Sequence, residues 1–182
     1  RDRSHRQPAI SYISVTRTAD RTRLLSDSCS HNPLICTKTD YDFYDKRVPT
    51  PEPEPENYIA RLHPAVRKWR ERRGVDKLSP EQNRRAMAAY MGLVTELDRN
   101  VGRILEAIED TGLVGSTVVM YTSDHSDMCC EHGMWWKSSF YEGSAGIPFL
   151  ARWPDHFPSG QEKGAIASLI DVGPTVLDIA AA

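Results

Sequence analysis

Apolar residues recur at spacings of three and four from Met87 to Ile108, through Tyr90, Met91, Val94, Leu97, Val101, Ile104 and Leu105. That spacing lines one face of an α-helix, and the large side chains on it read as core. Ser79-Pro80-Glu81-Gln82 supplies an N-cap hydroxyl, a proline for the first turn and a glutamine three residues on, which is a reciprocal capping arrangement. Gly112 supplies the stop. The pattern predicts one helix from Pro80 to about Asp110, roughly 45 Å long at ~1.5 Å per residue. A shorter helix is predicted over 64–73, with Pro64 at its start and Gly74 just past its end.

Thr117 to Thr122 is a continuous apolar run rich in β-branched residues, the composition of a buried strand. Helix, short loop and strand read together as half of a βαβ unit. Ile147 to Arg152 reads as another strand, placed by Pro148 at a strand start or a sheet edge. Ala9 to Val15 and Ala165 to Leu169 are candidates for further short strands, and Asp171 onward for a terminal helix with Pro174 in its first turn. The rest of residues 1–30 reads as loop. His31-Asn32-Pro33-Leu34 opens an extended segment. Phe43 to Tyr58, with proline and glutamate alternating from Pro51 to Glu56, reads as an extended surface loop. The fold class is α/β.

Length and composition narrow the picture without naming a function. The 182 residues suffice for one domain with its own core. Hydrophobic content of 40% and charged content of 26% are those of a globular chain, and a net charge of −2 gives no overall pull toward nucleic acid. Six arginines among the first 25 residues, and the basic run Arg67 to Arg73, read first as solvated surface and second as a patch for anions. No apolar run reaches the ~18–20 residues of a membrane span, and residues 1–25 lack the apolar core of a signal peptide. Beginning at Arg1 rather than Met, the chain reads as a piece of a longer protein. Cys29, Cys36, Cys129 and Cys130 form no zinc-ligand spacing. The adjacent pair is poorly placed for a mutual disulfide, so free thiols are expected, which leans toward a cytoplasmic setting.

Candidate chemistry collects just past the 117–122 strand. Asp124 and His125 leave the strand end together. They can hold a divalent cation, or serve as a turn cap and a surface imidazole; the two residues alone favour the second. Lys137 follows Trp135 and Trp136 and can hold an anion as a point charge, or be a plain surface lysine. One of the two tryptophans is expected to pack, and Glu131 and His132 to bond within the loop. His31 can protonate a leaving-group oxygen, but a lone histidine carries little weight. His5, His63 and His156 are assigned no role.

The order of these elements adds more than any one of them. Ser123-Asp124-His125-Ser126-Asp127, Glu131-His132-Gly133, Trp136-Lys137, Tyr141-Glu142-Gly143-Ser144 and Ile147-Pro148 together closely resemble the signature of the sulfatase family, in the alkaline-phosphatase-like superfamily. His31-Asn32-Pro33-Leu34, Trp153-Pro154 and Asp171 to Asp178 are similar to further family segments. Arylsulfatase-like and choline-sulfatase-like members are the nearest in kind. The resemblance covers 28–182 and implies the C-terminal part of a three-layer α/β/α catalytic domain, with 1–27 a poorly matching N-terminal segment. It implies that Asp124 and His125 ligate one Ca²⁺ or Mg²⁺, that Lys137 binds the sulfate, and that His31 contacts the ester and assists the leaving group. The implied substrate is a small-molecule sulfate ester.

The family's nucleophile is a formylglycine made from Cys or Ser in a Cys/Ser-x-Pro-x-Arg motif. No Cys or Ser of these 182 residues begins that motif, and the paired acidic residues that complete the family's metal site are absent too. The chain is therefore expected to be inactive alone. Ser126 stands where the family has Gly, Cys129-Cys130 where it has an apolar-Gly pair, and Gly146 where many members have Arg. Two other readings stay open: hydrolysis of a phosphodiester or phosphonate monoester, and a non-catalytic protein that binds a partner.

Overall fold

The computed structural model describes residues 11–17, 21–27, 32–52, 54–55 and 57–180, the first two stretches by their backbone. Strands β1 (Ser11–Arg17) and β2 (Arg21–Asp27) come first, then helices α1 (Lys38–Asp45), α2 (Tyr58–Arg61), α3 (Pro64–Arg73) and α4 (Pro80–Asp110). Strands β3 (Thr117–Ser123), β4 (Met128–Cys129) and β5 (Trp135–Trp136) follow, then α5 (Glu142–Ala145), β6 (Phe149–Arg152) and α6 (Val172–Ile179).

The two helices marked by caps form where the sequence places them. In α3, His63 caps the start by accepting from the Ala65 N–H at 3.2 Å, and Gly74 ends it at φ 70°. At the start of α4, the Ser79 N–H donates to Gln82 Oε1 at 2.8 Å and the Gln82 N–H to Ser79 Oγ at 3.2 Å. At its end, Leu113 N–H reaches back to Ile108 O at 3.0 Å and Gly112 N–H to Glu109 O at 2.9 Å, with Gly112 at φ 68°. That pair of bonds satisfies carbonyls the last turn would leave open.

The chain separates into two units. One comprises the described parts of 1–28, 99–124 and 148–182. Its sheet runs β2-β1-β3-β6, every pair antiparallel. The expected parallel βαβ half-unit is thus corrected: β3 is flanked by β1 and β6, which both run against it. Among the described strands β6 lies at the sheet edge, and it starts immediately after Pro148, a strand-start position that proline tolerates. Ile108 of α4 and Val119 of β3 are buried together, with Val101, Ile104, Leu105, Leu113, Val114 and Tyr121 packed around them. Burial of side chains such as Ile108 and Val119 contributes about 1.5–3 kcal/mol each by leaving water.

The other unit comprises the described parts of 29–98 and 125–147. Its buried residues include Leu62, Val75, Ala88, Ala89, Leu93, Leu97, Met128, Met134 and Trp135. Here the reading of the α4 stripe needs correction. Met91 and Val94 are exposed, while Ala88, Ala89 and Leu93 are buried. Small residues carry this face: a Cβ at Gly92 would meet Cys36 Sγ at 2.6 Å. Tyr44 Oη bonds Thr95 Oγ1 at 2.8 Å, and Arg84 pairs with Asp45 at 2.9 Å and Glu81 at 2.8 Å.

Three elements depart from the sequence reading. Phe43 to Asp45 is helical, as the end of α1, whose Thr37 hydroxyl caps the Asp40 N–H at 3.2 Å. Arg21 to Asp27 is a strand rather than loop, paired with β1 across a three-residue connection. Residues 165–168 form no strand, and Leu169–Asp171 is a single 3₁₀ turn closed by a Ser168–Asp171 capping box. Of the expected 9–15 strand, Ala9 and Ile10 lie outside the described residues, and the described strand runs on to Arg17. No helix among the described residues is long and apolar enough to cross a membrane.

Candidate active site

β3 delivers Asp124 directly after its last residue, Ser123, and the carboxylate is exposed. Ser123 Oγ donates to Asp124 Oδ1 at 3.5 Å, a long and weak contact. Asp124 closes the first unit and His125 begins the second.

Within the second unit, His125 and Lys137 meet. Lys137 Nζ lies 2.7 Å from His125 Nε2, and both side chains are half-buried. His125 Nδ1 lies 3.1 Å from the Ser126 carbonyl oxygen. A carbonyl only accepts, so Nδ1 carries the imidazole proton. Nε2 then presents its lone pair, to which the Lys137 ammonium donates. This tautomer is assigned from the bonding pattern.

The loop that carries Lys137 is held in an uncommon backbone path. Cys130, His132, Trp136 and Ser138 all have positive φ, at 77°, 54°, 63° and 76°. Non-glycine residues pay for that region sterically, and such residues collect where a side chain must be aimed. Trp136 and Ser138 flank Lys137 directly. Trp135 anchors the loop: it is 5% exposed, and its indole N–H donates to Asn83 Oδ1 at 2.8 Å. Trp136 is the half-buried partner, its ring 6.2 Å from that of Trp69, with the Arg73 guanidinium 5.6 Å from the Trp136 ring.

Glu131 bonds within the loop as expected, whereas His132 reaches out of it to Tyr58. Glu131 Oε2 accepts from the Cys129 N–H. His132 stacks on Tyr141 at 4.1 Å and on Tyr58 at 6.1 Å, and its Nδ1 bonds Tyr58 Oη. Two departures from the family pattern also meet: Ser126 Oγ donates to the Gly146 carbonyl, and Ser126 N–H to Ser144 O at 2.9 Å.

The thiols here are unreactive in character. Burial, with Glu131 beside it, pushes the Cys129 thiol up to about 12, and burial also raises Cys130. Cys36, Cys129 and Cys130 are free, and Cys29 lies outside the described residues.

For a divalent cation, the donor chemistry fits in part. A carboxylate and an imidazole are both metal-binding groups, but the His125 Nε2 lone pair is taken by Lys137, and Ca²⁺ takes 6–8 oxygen ligands. Among the described residues, no three His, Cys, Asp or Glu side chains come together as a metal-binding group. His31, the fourth predicted site residue, lies outside the described residues. An open depression of about 590 Å³ between residues 34–41 and the start of α4 is lined by none of the predicted site residues. The sequence reading missed Arg70, Tyr58 and Asn83, which support this loop. No local signal marks them, because each meets its partner across more than fifty residues.

Residues 17–182 match the family model described as Sulfatase. Arylsulfatase K of Xenopus laevis is 44% identical over 93 residues, 51% of this chain and 17% of that protein. An arylsulfatase of Clostridium perfringens is 34% identical over 160 residues, 82% of this chain and 32% of the relative. The choline-sulfatase of Rhizobium meliloti is 28% identical over 159 residues, 82% of this chain and 29% of the relative. Among solved structures, that of BT4656 in complex with its substrate D-glucosamine-2-N,6-O-disulfate superposes with a TM-score of 0.55 at 28% identity, over 68% of this chain and 28% of that one. The chain thus spans between a sixth and a third of the length of these relatives.

Proposed function

The chain belongs to the sulfatase family, and we propose that it forms the sulfate-binding and metal-facing side of a site that hydrolyses a sulfate monoester. The observation that carries this reading is the Lys137–His125 contact at 2.7 Å, on a loop whose backbone is bent on both sides of the lysine. In this proposal residues 28–182 are the C-terminal part of an alkaline-phosphatase-like α/β/α catalytic domain, and the family match from residue 17 and the β1–β3 pairing tie the preceding strands to it.

Each residue has a role that its chemistry suits. The Lys137 ammonium neutralises charge on the sulfuryl oxygens as the ester bond breaks, a preorganised electrostatic effect. His125, by accepting from Lys137, fixes the direction of that ammonium. His31 gives a proton to the departing oxygen. Asp124 and His125 would hold one Ca²⁺ or Mg²⁺, which when bound supplies positive charge beside the sulfuryl group, and His125 joins it only by releasing Lys137, since its one Nε2 lone pair cannot serve both. The remaining ligands, and the formylglycine that supplies the nucleophile, come from a segment outside these 182 residues. The chain alone is then inactive.

The substrate is a small sulfate ester, consistent with the arylsulfatases and the choline-sulfatase among its relatives. Phosphodiester or phosphonate monoester hydrolysis is the alternative, since the same groups serve any tetrahedral anion. Comparing release of 4-nitrophenol from its sulfate and phosphate esters by the parent polypeptide decides between them. Faster turnover of the sulfate is expected. A preference for the phosphate ester overturns the reading, and turnover of neither favours a non-catalytic, partner-binding protein.

A further inference from the structure

We infer that Arg70 of α3 is a positioning residue for Lys137, acting from inside the loop that carries the lysine; this rests on the proposed role of Lys137. Arg70 is 8% exposed, an uncommon state for a guanidinium. Its Nη1 donates to the His132 carbonyl at 2.6 Å and also to the Gly133 carbonyl. The charge is therefore spent on two consecutive backbone oxygens in the 130–138 loop. Its Nε is buried without a hydrogen-bond partner among the described residues. Burying that atom unpaired opposes folding, so it is not explained by stability alone.

A side chain at 133 would have to displace the Arg70 guanidinium. A Cβ added to Gly133 would collide with Arg70 Nη1 and lie 2.9 Å from Cζ. Gly133 also has φ 59°, and its neighbour His132 has φ 54°. The guanidinium and the bare glycine thus lock together at the point where the backbone is most constrained. Four residues on, past the buried Met134 and Trp135, the chain reaches Lys137. Because these two intervening side chains are buried, a displacement at 133 passes to 137 rather than being absorbed. The stack of His132 between Tyr58 and Tyr141 holds the same turn from its side-chain face.

Arg70 reaches the loop through its backbone oxygens. It acts through the carbonyls of His132 and Gly133, and its removal moves Lys137 away from His125 without unfolding the unit. The same result follows from the opposite side by enlarging Gly133.

The test uses the 182-residue chain, Arg70→Met, Arg70→Lys and Gly133→Ala, with two readouts. The first is the nuclear Overhauser contact between the His125 ring and the Lys137 ε-protons, with β3 and α4 amide shifts reporting the fold. The second is binding of inorganic sulfate followed at the Lys137 side chain. Arg70→Met and Gly133→Ala are expected to lose the His125–Lys137 contact and to weaken sulfate binding by about tenfold or more, the usual cost of removing an outer supporting partner. Arg70→Lys, which keeps the charge but has a shorter reach, is expected to retain part of both. If Arg70→Met fails to fold, Gly133→Ala and Arg70→Lys decide by the same signals. A folded Gly133→Ala chain with the contact and sulfate affinity of the parent sequence overturns the inference. Absence of any sulfate response in the unaltered chain, with the contact present and sensitive to Arg70, would instead count against the proposed role of Lys137 and leave the positioning intact.

Discussion

Lys137 Nζ and His125 Nε2 are 2.7 Å apart, though twelve residues separate them in the chain. The neutral tautomer of His125 makes the contact attractive, and it aims an ammonium that otherwise has four rotatable bonds of freedom. Lys137→Ala in the parent polypeptide should lower kcat for a sulfate ester by about 10²–10³-fold, the range for losing one preorganised donor. Lys137→Arg should recover little, because a planar fork does not replace a point charge at this position. Steady-state kinetics on both variants check this.

Two glycines of α4 and its cap should answer the same substitution with opposite signs. Gly102 sits inside the helix with nothing within 4 Å of an added Cβ. Gly102→Ala should stabilise by about 0.5–1 kcal/mol, through helix propensity and a less free unfolded chain. Gly112 sits at φ 68° past the helix end. Gly112→Ala should destabilise by about 1 kcal/mol, since the left-handed region penalises a Cβ. Urea denaturation of the two variants measures both.

Met128 is 1% exposed and lies at the start of β4, behind the Lys137 loop. Met128→Ala should cost about 2–5 kcal/mol, the transfer loss plus the cavity left behind. Its midpoint in chemical denaturation gives the value.

The Cys129 thiol, pushed up from its ordinary 9.0 to about 12 by burial, makes a pH prediction. Between those values the folded chain holds the proton and the unfolded chain has lost it. Folding stability is thus fully present below about pH 9 and declines as pH rises toward 12. Cys129→Ala should flatten that decline. In the folded protein at pH 8, iodoacetamide should label Cys129 much more slowly than in urea, as peptide mass mapping would show.

The parts of the molecule legible in the sequence are those whose causes are local. Both capped helices could be read, because Ser79, Gln82, Gly74 and Gly112 act within one turn of the residues they serve. β3 could be read from its continuous apolar run, and Pro148 marked β6 as beginning there or lying at an edge. α1 could not: Lys38 to Asp45 is mostly polar and is held by Tyr44 and Asp45 meeting Thr95 and Arg84, about forty to fifty residues away. β2 could not either, since Arg21 to Asp27 lacks alternation and forms by pairing with β1. At the candidate site, the ordered motif pointed to Asp124, His125 and Lys137, but gave no sign of the Arg70 guanidinium inside the 130–138 loop. That contact spans 62 residues and uses backbone carbonyls, which carry no sequence signature.

The most direct test of the account is a side-by-side assay of the 182-residue chain and its parent polypeptide on 4-nitrophenyl sulfate, with Ca²⁺ or Mg²⁺ supplied. The account predicts sulfate release by the parent and none by the chain above the metal-only rate. Clear turnover by the chain alone would contradict it, because the nucleophile would then lie within these residues.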